Sequence, residues 1–67
     1  MRGVKYPDIH VRLIGQGGNA YTILGRVRLA LSRAGVPPAE IKAFTDAATS
    51  GDYDHLLRVA METVVVR

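Results

Sequence analysis

The polar side chains best suited to chemistry lie in residues 49–57, Thr-Ser-Gly-Asp-Tyr-Asp-His-Leu-Leu. Ser50 and His55 are the residue types of a nucleophile and its general base, and Asp54 is a carboxylate that can pair with a histidine. Such chemistry needs converging side chains, whereas consecutive residues such as Asp54 and His55 point to different faces of a helix. We therefore predict no catalytic site here and interpret His55 as a surface or capping-turn residue.

A second candidate for chemistry is the glycine-rich loop of residues 15–19, Gly-Gln-Gly-Gly-Asn. The backbone N–H groups of such loops bind phosphate where a helix begins. This loop lacks the Lys-Ser/Thr of a P-loop and the third spaced glycine of the dinucleotide fingerprint. Asp52 and Asp54, expected nearby, would also repel an anion. A phosphate site is disfavoured, and Asn19 and Asp52 are interpreted first as helix caps.

The elements that position these residues begin with a strand and a long helix. Residues 1–7 are expected to be frayed or weakly extended, and residues 9–14 alternate apolar and polar side chains, as a half-buried strand does. Residues 20–34 carry the i, i+3, i+4, i+7 pattern of an amphipathic helix, and Gly35 is placed to end it. Gly25 costs about 1 kcal/mol relative to alanine inside a helix, which suggests a closely packed neighbour.

Two further helices and a second strand follow. Pro38 suits the first turn of a helix that Gly51 ends. Asp52 is placed to cap a third helix, with a predicted core face of Tyr53, Leu56, Leu57, Ala60 and Met61. The β-branched residues 63–66 favour a short strand.

The predicted fold is a single α+β domain over residues 1–67, in the order strand–helix–helix–helix–strand, with a small two-stranded sheet packed on three helices. Short loops make neighbouring helices antiparallel, which favours parallel strands joined by a right-handed crossover; antiparallel pairing is the alternative. A two-stranded sheet leaves both edges open, so we expect a homodimer. The same topology brings the loop of residues 15–19 and the turn of residues 50–54 to one end.

Two surfaces are predicted to contact a partner. The first is the polar end where two helices begin, and the second is the exposed side of the first long helix, where tyrosine is a common interface residue. The candidate residues are Asn19, Ser50, Asp52, Asp54 and His55 at the polar end, and Tyr21 with Arg28 on the helix.

Composition narrows the function classes. The chain has 67 residues and no cysteine, so it has neither a disulfide nor a thiolate metal site, and no cofactor is predicted. A chain this short seldom encloses a pocket alone, which argues against an enzyme. No signal peptide and no apolar run of about 18 residues is present, so we expect a cytoplasmic protein with no membrane association.

The net charge of +3 arises from nine Lys/Arg and six Asp/Glu that are scattered along the sequence. A mildly basic surface is the simplest interpretation. A strand with His10 and Arg12 on its outer face, followed by helices, also resembles ribbon-helix-helix DNA-binding dimers, whose paired strands enter the major groove. The third helix and second strand depart from that pattern, so nucleic-acid binding is the less favoured alternative.

The chain also resembles a family of small uncharacterised bacterial and bacteriophage proteins. The resemblance covers nearly the whole chain, and its most specific part is residues 48–57, Ala-Thr-Ser-Gly-Asp-Tyr-Asp-His-Leu-Leu. Residues 63–66, Thr-Val-Val-Val, are where the chain departs from it. The resemblance implies no activity, cofactor or catalytic residue. It favours a phage-encoded, non-enzymatic protein-interaction module that acts on a host or phage protein in the host cytoplasm, with a DNA-binding regulator as the alternative.

Overall fold

A strand, three helices and a second strand follow one another along the chain, as the sequence predicts. The computed structural model of the protein describes residues 3–12 and 20–66. Its elements are β1 (Tyr6–Val11), α1 (Ala20–Arg33), α2 (Pro38–Ala48), α3 (Tyr53–Thr63) and β2 (Val64–Val66). Helix α1 contacts β1 and both other helices, so it is the centre of an α+β fold. None of the three helices is both long and apolar enough to cross a lipid bilayer.

The two strands pair in parallel, which confirms the predicted topology. Their register joins Tyr6 to Val64, His10 to Val65 and Val11 to Val66, with an irregularity between Tyr6 and His10. Strand β2 follows α3 without a connecting loop, and Val64 is fully buried.

Strand β1 begins earlier than predicted. Tyr6 and Pro7 belong to it, so of the two expectations for residues 1–7 the extended one, and not fraying, applies to these two. Proline disfavours helix in the residue before it and adopts an extended conformation, although it cannot donate to the ladder. The irregular register falls around this proline, and the N–H of Lys5 donates to the carbonyl of Glu62 at 3.0 Å. The predicted continuation to residues 13 and 14 lies outside the described residues.

The core forms where the apolar stripes of the helices meet the sheet. Its buried members are Val11, Ile23, Leu24, Val27, Leu31, Phe44, Ala48, Leu56, Ala60 and Val64. The predicted face of α3 is wrong at its margins, because Met61 is 59% and Tyr53 45% exposed. The buried stripe of α3 instead runs through Leu56, Ala60 and Thr63. Thr63 is satisfied there by donating its hydroxyl to the carbonyl of Val59 at 2.7 Å.

The end of α1 is fixed by Gly35, as predicted. Its φ of +85° lies in the left-handed region, which favours glycine. Its N–H donates to the carbonyl of Ser32, and the N–H of Val36 donates to that of Leu31, both at 3.0 Å. This pair of bonds is the Schellman motif, which satisfies carbonyls that the helix leaves open.

Gly25 does not have the close neighbour that its position in α1 suggests. A β-carbon built at this residue meets nothing within 4 Å, and the residue is exposed. Tight packing therefore does not explain this glycine.

Candidate functional site

The turn between α2 and α3 converges on one backbone carbonyl. Ala47 lies in the last turn of α2, where carbonyls have no partner within the helix. Its oxygen accepts from the hydroxyl of Ser50 at 2.8 Å and lies 2.8 Å from Nε2 of His55. Two side chains that the sequence offered as catalytic candidates therefore cap the end of a helix.

This geometry sets the tautomer of His55. A carbonyl oxygen only accepts hydrogen bonds, so Nε2 must carry a hydrogen to bond Ala47. The hydroxyl oxygen of Ser50 lies 3.1 Å from the same Nε2. Because that nitrogen is a donor, it has no lone pair with which to take a proton from Ser50. The arrangement argues against Ser50 and His55 as nucleophile and base, in agreement with the predicted capping turn.

Asp52 caps the start of α3, as predicted. Its backbone is extended (φ −86°, ψ −171°), and its Oδ1 accepts the N–H of His55 at 2.9 Å. The carbonyl of Asp52 accepts the N–H of Leu56 at 3.0 Å. Asp54 lies exposed in the first turn, where a negative charge interacts favourably with the helix dipole. Ser50, Asp52 and His55 thus come together, whereas Asn19 lies outside the described residues.

A groove opens beside this turn, between the start of α1, the end of α2 and the start of α3. It has a volume of about 250 Å³ and is flanked by two tyrosines, Tyr21, which is 83% exposed, and Tyr53. Asp52 lines it too, so the structure brings a candidate of the polar end next to a candidate of α1. The small residues Ala20, Ala48 and Gly51 also line it. We call this surface the tyrosine groove.

Arg28 lies apart from the tyrosine groove. It is exposed seven residues after Tyr21, so both side chains lie on one side of α1, about 10 Å apart along the helix axis. Arg28 borders a different groove, between α1 and α2, together with Gly25, Leu29 and Lys42. The predicted Tyr21 and Arg28 patch is thus one helix side that borders two grooves.

A third groove gathers basic side chains that look scattered in the sequence. His10 of β1 and Arg12, which follows the strand, lie there with Arg26 and Arg33 of α1, around a space of about 480 Å³. Asp8 is the single acidic residue among the described residues that line it. The sequence signal was the seven-residue spacing of Arg26 and Arg33, but their meeting with β1 depends on the tertiary fold. We call this surface the basic groove.

Two exposed ion pairs neutralise lysines elsewhere. Lys5 donates to Glu40 at 2.9 Å, which raises the pKa of Lys5 and lowers the pKa of Glu40. Lys42 donates to Asp46 at 2.9 Å, and this bond raises the pKa of Lys42. The Lys5 pair joins the segment before β1 to the first turn of α2.

Searches for related proteins add no assignment. The chain matches no protein-family model, no curated protein and no solved structure. Across residues 3–12 and 20–66, no three His, Asp or Glu side chains are grouped so that they could hold a metal ion. The resemblance to bacterial and phage proteins therefore stays a prediction.

Proposed function

We propose that this protein is a non-enzymatic interaction module that binds a host or phage protein through the tyrosine groove. The observation that carries the proposal is the side chain of Tyr21, which is 83% exposed beside the half-exposed Tyr53. Tyrosine offers a large, rigid contact area with a polar tip, and ordering it costs little conformational entropy. The setting proposed for this activity is the cytoplasm, that of the host if the protein is phage-encoded.

The capping turn supports this function by holding one wall of the groove in place. Asp52 and Gly51 line the groove, while the bonds from His55 and Ser50 to Ala47 tie the same turn to the end of α2. A surface ordered before binding loses less entropy when a partner docks. The conformational role of these polar residues is thus part of the proposed binding role.

The groove also favours a particular kind of ligand segment. Apart from the two tyrosines its lining is largely small or apolar, with Ala20, Ala48 and Leu56 among its members, which suits an apolar or aromatic side chain. The carboxylates of Asp52 and Asp54 add negative charge at the same helix start. We therefore expect the partner to present an apolar residue next to a lysine or arginine, because opposite charge at the rim guides association.

Affinity capture from host lysate tests the proposal. Tagged wild-type protein, the Tyr21→Ala variant and the Met61→Ala variant are compared at low and moderate salt, each with and without nuclease. Met61 is the matched control, since it is a large side chain 59% exposed on α3 and does not line the tyrosine groove. We expect one discrete protein that wild type and Met61→Ala retain and Tyr21→Ala loses. Equal capture by Tyr21→Ala would remove the groove from the function.

A DNA-binding regulator is the second candidate, and the basic groove favours it. His10 on β1 and Arg12 just after it are exposed and line this groove with Arg26 and Arg33. Binding of this kind falls steeply with salt, because each neutralised phosphate releases counterions. In the capture experiment it predicts nucleic acid alone, lost at moderate salt and after nuclease, with no effect of Tyr21→Ala.

The proposed function also includes a homodimer. A two-stranded sheet is marginal by itself, and pairing with a second copy would extend it.

A further inference from the structure

The outer edge of β1 is the starting point of this inference. Within the described residues the sheet has two strands, and β1 pairs only with β2. Five consecutive residues, 8–12, border the basic groove together with α1. Four of them, residues 8–11, belong to β1 and span about 13 Å, so the groove runs along an open strand edge beside a helix. Open edges of this kind accept another strand through backbone hydrogen bonds.

We propose that the occupant of this edge is a second copy of the chain, with its β1 antiparallel to the first β1 and His10 at the two-fold axis. The inference deepens the proposed homodimer and rests on that part of the proposed function. It does not depend on the tyrosine groove.

Side-chain alternation limits the possible registers. Ile9 is half-buried and Val11 buried, whereas Asp8, His10 and Arg12 are exposed. Residues directly opposite each other in an antiparallel pair lie on the same face of the sheet, and a shift by one residue would exchange the faces. When the two-fold axis passes through a residue, the apolar residues of one copy lie opposite apolar residues of the other. An axis that passes between two residues would place them opposite polar residues.

Charge selects among the remaining registers. Centring on His10 places Asp8 opposite Arg12 of the second copy, twice by symmetry, and Ile9 opposite Val11. Centring on Val11 would place His10 opposite Arg12, which sets basic groups together. Centring on Ile9 would place Pro7, which has no N–H, within the paired segment. The register centred on His10 alone gives each aspartate an arginine, and opposite charges across strands are stabilising.

Helix α1, which lies beside the outer edge of β1, also favours a second copy of the chain as the occupant. Leu29 is 54% exposed on α1 and lines the basic groove with Ala30. A second β1 in this groove brings its Ile9 and Val11 to the core side of the sheet, where α1 lies. The contact therefore covers apolar surface of the helix and satisfies the strand edge in both copies at once, as an isologous interface requires.

Single charge reversals at the exposed positions 8 and 12 test the register. The Asp8→Arg and the Arg12→Asp variant each place like charges opposite each other twice. We expect either change to raise the dimer dissociation constant by about tenfold or more, because two attractive cross-strand pairs become repulsive. Sedimentation equilibrium of purified protein measures this constant, and circular dichroism checks that each variant stays folded.

A mixture of the two variants tests whether opposite charges at positions 8 and 12 restore the dimer. One chain carrying Asp8→Arg and another carrying Arg12→Asp regain opposite charges at both cross-strand pairs in the register centred on His10. The mixture should form a heterodimer with an affinity close to that of wild type, and the doubly substituted chain should form a homodimer again. The matched control is Arg58→Asp on α3, which should not change the dissociation constant.

Three results would overturn the inference. They are a wild-type protein that stays monomeric well above micromolar concentration, a dimer that neither single reversal weakens, and a mixture that fails to associate. A monomer that binds duplex DNA or poly-glutamate through Arg12 would assign the edge to that ligand instead. Because this assay contains no other protein, its outcome is separate from the capture experiment with Tyr21→Ala.

Discussion

The imidazole ring of His55 occupies the space that a β-carbon at Gly51 would need. Such a carbon would lie 2.8 Å from Cγ and 2.9 Å from Cβ and Cδ2 of the histidine. Gly51 has no positive φ, so the ring and not the backbone conformation accounts for the glycine. Since the same ring bonds the carbonyl of Ala47, the end of α2, the turn and the start of α3 form one packed unit.

Substitution of this glycine tests that unit. We expect Gly51→Ala to lower the free energy of unfolding by about 1–3 kcal/mol, as overpacking does. In a His55→Ala background two of the three close atoms are gone, so the same change should have a smaller effect. Urea denaturation of the four proteins measures both values. An identical effect in the two backgrounds would show that the ring is not what requires the glycine.

Gly25 provides a matched glycine with the opposite expectation. A β-carbon there meets nothing within 4 Å, and the residue lies inside α1. Gly25→Ala should therefore raise the free energy of unfolding by about 0.5–1 kcal/mol, because alanine loses less conformational freedom than glycine in a helix. Thermal and urea unfolding check the sign. A loss of stability would mean that this face of α1 is packed in solution by atoms outside residues 3–12 and 20–66 of the same chain.

Alanine substitutions at Asp52 and Asp54 distinguish a capping hydrogen bond from an interaction with the helix dipole alone. Asp52→Ala removes the acceptor of the His55 N–H and should cost about 1 kcal/mol of unfolding free energy. Asp54 contributes through the helix dipole, so Asp54→Ala should cost about 0.5 kcal/mol or less at this exposed position. Equal losses in urea denaturation would contradict the assignment of Asp52 as the cap.

Local rules account for what the sequence predicts correctly. Gly35 ends α1 and Asp52 starts α3 because each supplies what a helix terminus requires, whatever surrounds it. Parallel pairing follows from short loops between antiparallel helices. None of these inferences needs a distance between residues far apart in sequence.

The rest depends on tertiary placement. Tyr53 and Met61 fit the helical period of α3, yet they lie at the margins of a stripe too narrow to bury them. Arg12 and Arg33 are 21 positions apart, so only the docking of α1 beside β1 brings them to one groove. Likewise, the His55 ring explains Gly51, whereas nothing near Gly25 explains that residue.

The contact between Lys5 and Glu40 predicts how stability depends on pH. The hydrogen bond from Lys5, and then its charge, lower the pKa of Glu40 below its ordinary value of 4.5. A lowered carboxylate pKa stabilises the fold above the unfolded value, and this contribution disappears as pH falls through the folded value. For Lys5 the pKa is raised above 10.5, so its contribution is present below 10.5 and is lost as pH rises further.

Comparison of wild type with Glu40→Gln across pH isolates this pair. The difference in unfolding free energy between the two proteins should be constant between pH 4.5 and pH 10.5. It should shrink as pH falls below 4.5, and shrink again as pH rises above 10.5. The difference should also fall with added salt, because both side chains are exposed. In a Lys5→Met background the partner that lowers the pKa of Glu40 is gone. The acid pH range over which the stability difference changes should therefore be narrower. A difference that is unchanged from pH 7 into the acid range would show that Glu40 does not hold Lys5 in solution, and that the segment before β1 is secured by the Lys5 N–H bond to Glu62 instead.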